Sequence, residues 1–146
     1  MNKKRKICIV SSSRADYNHL FLLIKALKES KDINLKLVVT GMQLLKKYGN
    51  TYKEIIQDGF KIDGYIKNRL PSDSDNISLS VMADQFKNVS KVLDKVSPDI
   101  VIILGDRYDI FPIAIACHLK GIPLAHFHGG EITHGAIDDA IRHSIT

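Results

Sequence analysis

The run AHFHGGEITHGAIDD, residues 125–139, gathers groups that can move protons or bind a cation: three of the chain's six histidines and three carboxylates, set around a Gly-Gly pair. His126, His128, Glu131 and His134 have the residue types of metal ligands. Two apart on a strand, His126 and His128 would point to the same side. The H-x-H spacing with a carboxylate nearby resembles that of cupins, but cupins are antiparallel β proteins and this chain reads as α/β. Without that scaffold, and without a further ligand from elsewhere, no metal is expected. The chemistry left to these residues is acid–base work by carboxylates and imidazoles in differing environments.

Two earlier stretches and one later one could join them. SSSRAD (11–16) sets hydroxyls and Arg14 at a helix start, where free backbone N–H groups favour anions. The plainer reading is an N-cap with a surface arginine. The turn has no glycine, and the chain carries neither a dinucleotide fingerprint nor a P-loop. In GDRYD (105–109), Gly105 permits a tight turn and Asp106 emerges beside Arg107. Here the plainer reading is that Asp106 caps the next helix and pairs with Arg107, although Asp109 is at least as well placed to cap. Asp138 and Arg142 stand four apart on one helix face, with Asp139 and His143 on the next, which is ordinary spacing for surface ion pairs. Directed into one crevice, they would add a carboxylate and a cation to Asp106, Glu131 and Arg14. Arginines hold phosphates well, so the set suggests elimination or transfer on a phosphorylated or nucleotide-linked substrate.

The elements that must position these groups alternate along the chain. Apolar, β-branched runs predict strands at 6–12, 34–41, 61–66 (weaker), 99–105 and 122–128. Helical periodicity predicts helices at 15–30, 43–60 (interrupted at Gly49-Asn50), 77–96, 109–121 with Pro112 in its first turn, and 136–146. A polar loop, KNRLPSDSDN (67–76), ends in an Asn suited to cap the helix after it. This alternation predicts an α/β fold, a Rossmann-like parallel sheet with helices on both faces. Ligands bind such sheets outside the carboxyl ends of the strands, at the topological switch point. Doubly wound order puts the first and fourth strands there, and with them SSSRAD and GDRYD. No cap residue follows Thr146, so residues 1–146 are expected to be one domain cut short of its last elements.

Composition bounds the partners. A chain of 146 residues, 45% hydrophobic and 25% charged, fits one soluble domain. No apolar stretch reaches the ~20 residues of a membrane span. The start, MNKKRKICIVSSSR, has too short an apolar segment for a signal peptide, so a cytoplasmic location is expected. Cys8 and Cys117, distant in sequence, suit reduced structural thiols. The net charge of +5 is spread over Lys3, Lys4, Arg5 and Lys6, read as an exposed tail, and over helical lysines. That is not a basic face interleaved with aromatics, and nucleic acid is not an expected partner. Small phosphate-bearing molecules suit the charge better.

Taken in order, SRADY, VTGM…YGNTYKEIIQDGF, GDRYD, HGGE and IDDAIRHSIT resemble the hydrolysing UDP-N-acetylglucosamine 2-epimerases of the sialic-acid and related nonulosonate pathways. The resemblance runs over the whole chain with nearly collinear spacing. It implies the first half of a GT-B-type fold of two facing Rossmann-like domains, with the second domain absent from these residues. It also implies elimination of UDP from UDP-N-acetylglucosamine to a glycal, then hydration and release of N-acetylmannosamine. Such a scheme requires no metal or redox cofactor. By position, Asp106 matches the catalytic aspartate, Asp138 a further functional acid, and Arg14, Arg107, Arg142 and His143 nucleotide-sugar-binding positions. Many relatives read HIEGGE where this chain has HFHGGE, which leaves open whether His128, Glu131 or neither takes the acid/base role of that glutamate. His126 could serve only in packing.

Several readings stay open. The substrate could be the diacetamido-trideoxy nucleotide sugar of legionaminate synthesis. A non-hydrolysing epimerase is disfavoured by the absence of an EAGLRT run, and a GT-B glycosyltransferase rests on fold alone. The 146 residues by themselves are expected to bind poorly and turn over little, and the full-length parent is expected to be a homo-oligomer.

Overall fold

A computed structural model describes residues 4–69 and 77–146. The expected cap at Asn76, most of its loop, and Lys3 lie outside the described residues. The order is β1 (Arg5–Ser11), α1 (Arg14–Glu29), β2 (Ile33–Val39), α2 (Tyr52–Gln57), β3 (Gly64–Tyr65), α3 (Ile77–Val96), β4 (Ile100–Leu104), α4 (Phe111–Leu119), β5 (Leu124–Phe127) and α5 (Asp139–Ile145). The strands form one five-stranded sheet in the order β3-β2-β1-β4-β5, and every pair is parallel. The Rossmann-like arrangement is met, with its switch point between β1 and β4.

The central strands are apolar on both sides because both sides are covered. Cys8 and Val10 of β1, with Val101 and Ile103 of β4, face α3 and α4 through Val89, Leu93, Val96, Ile113 and Cys117. Ile9 and Ile102 face the other layer, where α1 sets Tyr17, Leu20 and Ile24 at helical spacing and α2 adds Ile55. Each fully buried aliphatic side chain contributes ~1.5–3 kcal/mol. Cys8 and Cys117, far apart in sequence, meet in one core as free thiols. Burial pushes Cys117 up to about 11 and raises Cys8 as well, which keeps both protonated and unreactive. Among the described residues, no helix is long and apolar enough to cross a membrane.

Four expectations need correction. Arg5 and Lys6 belong to β1 rather than to a tail, paired with Ile33 and Asn34. The expected helix at 43–60 is two 3-10 turns (Gly41–Leu44 and Lys46–Tyr48) and the short α2. Its first turn is tied down by the Gln43 side chain, which donates to Ser11 Oγ at 2.9 Å, and its second ends at Gly49 in the left-handed region. The strand expected at 61–66 shrinks to Gly64–Tyr65. There the Asp63 carboxylate, not a backbone carbonyl, accepts from Leu37 N–H (3.1 Å) and from Lys36 Nζ (3.0 Å). The last helix starts at Asp139 instead of 136, because residues 133–139 close as turns, Ala136 N–H onto Thr133 O and Asp139 N–H onto Ala136 O.

Candidate functional site

The loops at the carboxyl ends of β1, β2, β4 and β5 carry the polar side chains singled out above. After β1, Ser13 is the N-cap of α1 in a reciprocal capping box with Asp16. The buried Asp16 also accepts from Ser12 N–H (3.0 Å) and Ser12 Oγ (2.8 Å). The serines therefore turn inward, while Arg14 turns outward onto Glu54 at 3.0 Å with its side chain 65% exposed. Of the two readings of this loop, the cap with a surface arginine describes its contacts.

After β4 the pairing differs from expectation. Arg107 grips Asp109, Nε to Oδ1 at 3.1 Å and Nη2 to Oδ2 at 2.9 Å. Neither Asp106 nor Asp109 caps α4, whose N-cap is Ile110, with Pro112 in its first turn as expected. Asp109 is fully buried. Burial raises its carboxyl above the usual range, against the opposing pull of Arg107 and of the Ser12 hydroxyl. Burial also works against the Arg107 charge, but the hydrogen bonds and charge of Asp109 leave the guanidinium held more firmly protonated than usual.

Asp106 is met from α5. Arg142, itself buried, donates from Nη2 to Asp106 and from Nη1 to Thr133 Oγ1 at 3.1 Å. Asp139 lies 3.6 Å from Arg142 and 3.2 Å from His143 Nε2. The Thr133 N–H, then His143 and Arg142, hold the Asp139 carboxyl below the usual range. The expected side-chain pair of Asp138 with Arg142 is not formed. Asp138 is the N-cap residue of the late-starting α5 and offers Arg142 only its backbone carbonyl, at 3.0 Å.

His126 and His128 do not share a side. His126, inside β5, links the loop after β4 to the end of α5, Nε2 to Gly105 O at 2.6 Å and Nδ1 to the Thr146 hydroxyl at 2.9 Å. His128 lies past the strand in the left-handed region, φ 59°, and its Nδ1 contacts the Glu131 carboxylate. The alternation of a strand therefore stops before it. Among the described residues no three His, Cys, Asp or Glu side chains gather closely enough to hold a metal ion, and His134 is exposed.

The structure thus joins Asp106 to Arg142 and His128 to Glu131, sets Arg107 on Asp109, and leaves Arg14 on Glu54. Reading the sequence missed Thr133 and weighed Asp109 only as an alternative cap. The second carboxylate in D-R-x-D was its only local signal. A hollow of about 620 Å³ lies elsewhere, beside β2 and β3, and is lined by Lys6, Lys36, Lys61, Asp63 and Lys95 among others. It contains none of the candidate residues. The candidate site lies along the carboxyl edge of the sheet, in the loops after β1, β4 and β5.

Comparison with known proteins bears on what such an edge does. A 2-epimerase (hydrolysing) of Campylobacter jejuni named for GDP/UDP-N,N'-diacetylbacillosamine is 46% identical over 98% of this chain, and the alignment covers 37% of that protein. The UDP-N,N'-diacetylbacillosamine 2-epimerase (hydrolysing) of Legionella pneumophila is 38% identical over 97% of the chain and 37% of its own length. The chain therefore spans a little over a third of these relatives. The solved UDP-GlcNAc 2-epimerase of Neisseria meningitidis, bound to UDP-GlcNAc, superposes with a TM-score of 0.79 at 19% identity, over 96% of this chain and 37% of that one. A family model described as UDP-N-acetylglucosamine 2-epimerase matches residues 25–146. On that match, and on relatives aligned along nearly its whole length, the chain belongs to the UDP-N-acetylglucosamine 2-epimerase family.

Proposed function

We propose that this chain forms one wall of the nucleotide-sugar cleft of a hydrolysing 2-epimerase, acting on a UDP-linked 2-acetamido sugar. The observation that carries the reading is the Asp106–Arg142 pair at the β1/β4 switch point, with a second fixed arginine, Arg107, beside it. The C2 proton of the sugar is barely acidic, so departure of UDP must run ahead and build positive charge at C1. A carboxylate at Asp106 suits that charge, and the cations Arg107 and Arg142 suit the leaving diphosphate. The C1–O bond breaks with its electrons going to UDP, C2 loses its proton to a base, and a glycal results. Water then adds, hydroxyl at C1 and proton at C2 from the opposite face, which releases the epimerised sugar. The His128–Glu131 pair is suited to one of these proton transfers. Asp138 and His143 flank Arg142 as further polar groups, and Arg14 reaches the nucleotide only by leaving Glu54.

UDP-N-acetylglucosamine is the first substrate to test. A second reading, the diacetamido-trideoxy nucleotide sugar, is favoured by the names of the Campylobacter and Legionella relatives. The rest of the cleft is assigned to a second Rossmann-like half, so these 146 residues alone should turn over little. The test is an NMR time course in deuterium oxide on this chain and on a version extended to the length of its relatives. Release of UDP and of an N-acetylmannosamine carrying deuterium at C2 by the extended protein is the expected outcome. Release only from the diacetamido nucleotide would transfer the assignment to that sugar. Inertness toward both would sink the epimerase reading.

A further inference from the structure

We infer that Asp109 is a positioning residue, which locks the Arg107 guanidinium from below and leaves its Nη1 edge for a phosphate oxygen of the nucleotide. The phosphate half of this inference rests on the cleft proposed above. Of the five N–H donors of Arg107, Nε–H and one Nη2–H go to Asp109, and the remaining Nη2–H meets Met42 Sδ at 2.9 Å. The two Nη1–H groups find no protein acceptor among the described residues, and the side chain keeps 29% of its exposure. Its guanidinium also lies 5.6 Å from the Tyr108 ring centre, a further restraint on its plane. One edge is therefore clamped and the other is open.

The clamp draws on the loops after β1 and β2 and on α3. Gly41, after β2, approaches Asp109 so closely that a Cβ there would lie 2.4 Å from Oδ2 and 2.9 Å from Ser12 O. Gly41 also holds φ +61°, where other residues are strained. From α3, Gln85 Nε2 donates to the Asp109 carbonyl at 3.0 Å and to Thr40 Oγ1 at 2.9 Å, which fixes the backbone that carries the carboxylate. Burying a carboxylate this fully costs stability even when it is paired, and apolar replacements of such pairs are often neutral or better. Stability alone gives no reason for the arrangement. A pre-set arginine does, because a guanidinium already held in place loses less freedom when it takes up an anion.

The test compares Asp109→Asn, Gly41→Ala, Arg107→Gln and the double Asp109→Asn/Arg107→Gln. The Arg107 Nε–H resonance is followed in this chain, and UDP affinity and KM against kcat in the extended protein. Freed from its clamp, Arg107 should bind UDP about tenfold more weakly, the entropy of one released long side chain. KM should rise more than kcat falls, and the Nε–H resonance should shift toward that of a solvated arginine. Gly41→Ala should do the same by displacing a carboxylate that is still present, which keeps the test intact where Asp109→Asn fails to fold. In the Arg107→Gln background, Asp109→Asn should add nothing to the loss of UDP affinity. An unmoved resonance, or a full further loss in that background, would overturn the positioning role. A shifted resonance in a protein that never binds UDP would sink the nucleotide reading and leave Arg107 no phosphate to hold.

Discussion

At His128 the backbone holds φ 59°, a region that most side chains pay to enter and that Asn and Gly enter readily. Strain of this kind collects at functional sites, and here it turns the imidazole onto Glu131. His128→Asn should therefore keep or slightly raise the stability of the chain, and His128→Ala, which keeps the same Cβ in that region and loses only an exposed contact, should stay within about 0.5 kcal/mol in urea unfolding. In the extended enzyme both should lower kcat, by ~10²–10⁴ if the pair moves a proton. Asp139 gives a pH prediction. Its folded carboxyl titrates below the unfolded value, so its contribution is present above the usual carboxylate range and is lost as pH falls through the depressed value. Unfolding curves of the native chain and Asp139→Asn should differ at pH 6 and converge in acid. A gap unchanged at pH 3 would refute that sign. At this scale the sequence supplied residue types but not partners. Asp138–Arg142 looked paired by spacing, yet Arg142 reaches Asp106, 36 positions away, and nothing local encodes such a contact.

The elements were easier to read, because burial imposes a period. The predicted bounds 77–96 are those of α3, whose Val81, Gln85, Val89, Leu93 and Val96 keep helical spacing against the sheet. Prediction failed where side chains took over backbone hydrogen bonds, at Gln43 before α2 and at Asp63 before β3. The Gly-Gly pair shows a similar limit, since two identical letters do unlike jobs. A Cβ on Gly129 would stand 2.5 Å from His126 Nδ1 and 2.8 Å from Thr146 Oγ1, whereas one on Gly130 would meet nothing within 4 Å. Gly129→Ala should thus destabilise by ~1–3 kcal/mol through forced overpacking. Gly130→Ala should stay within about 0.5 kcal/mol. Equal effects in denaturant titrations would contradict the assigned contact.

For the whole molecule, the Arg142–Asp106 pair fastens the last helix to the centre of the sheet. Arg142→Met should cost about 1–3 kcal/mol, less than the full penalty of a buried broken pair because the Asp106 side chain keeps 24% of its exposure. Adding Asp106→Asn should recover much of that loss in thermal unfolding, and a merely additive double variant would argue against direct coupling. The strand order has a consequence in time as well as in space. β1 finds β2 within the first 40 residues, but its other edge waits for β4, and the seam begins where Lys6 and Asp99, 93 positions apart, exchange hydrogen bonds at 2.7 and 2.9 Å. At a synthesis rate of about 5–20 residues per second, that edge stands open for some seconds on the ribosome. During that interval a bare apolar strand is a template for mispairing. The crevice at the β1/β4 seam exists only once β4 has closed that edge, so any chain in which the crevice has formed no longer exposes the β1 edge to mispairing.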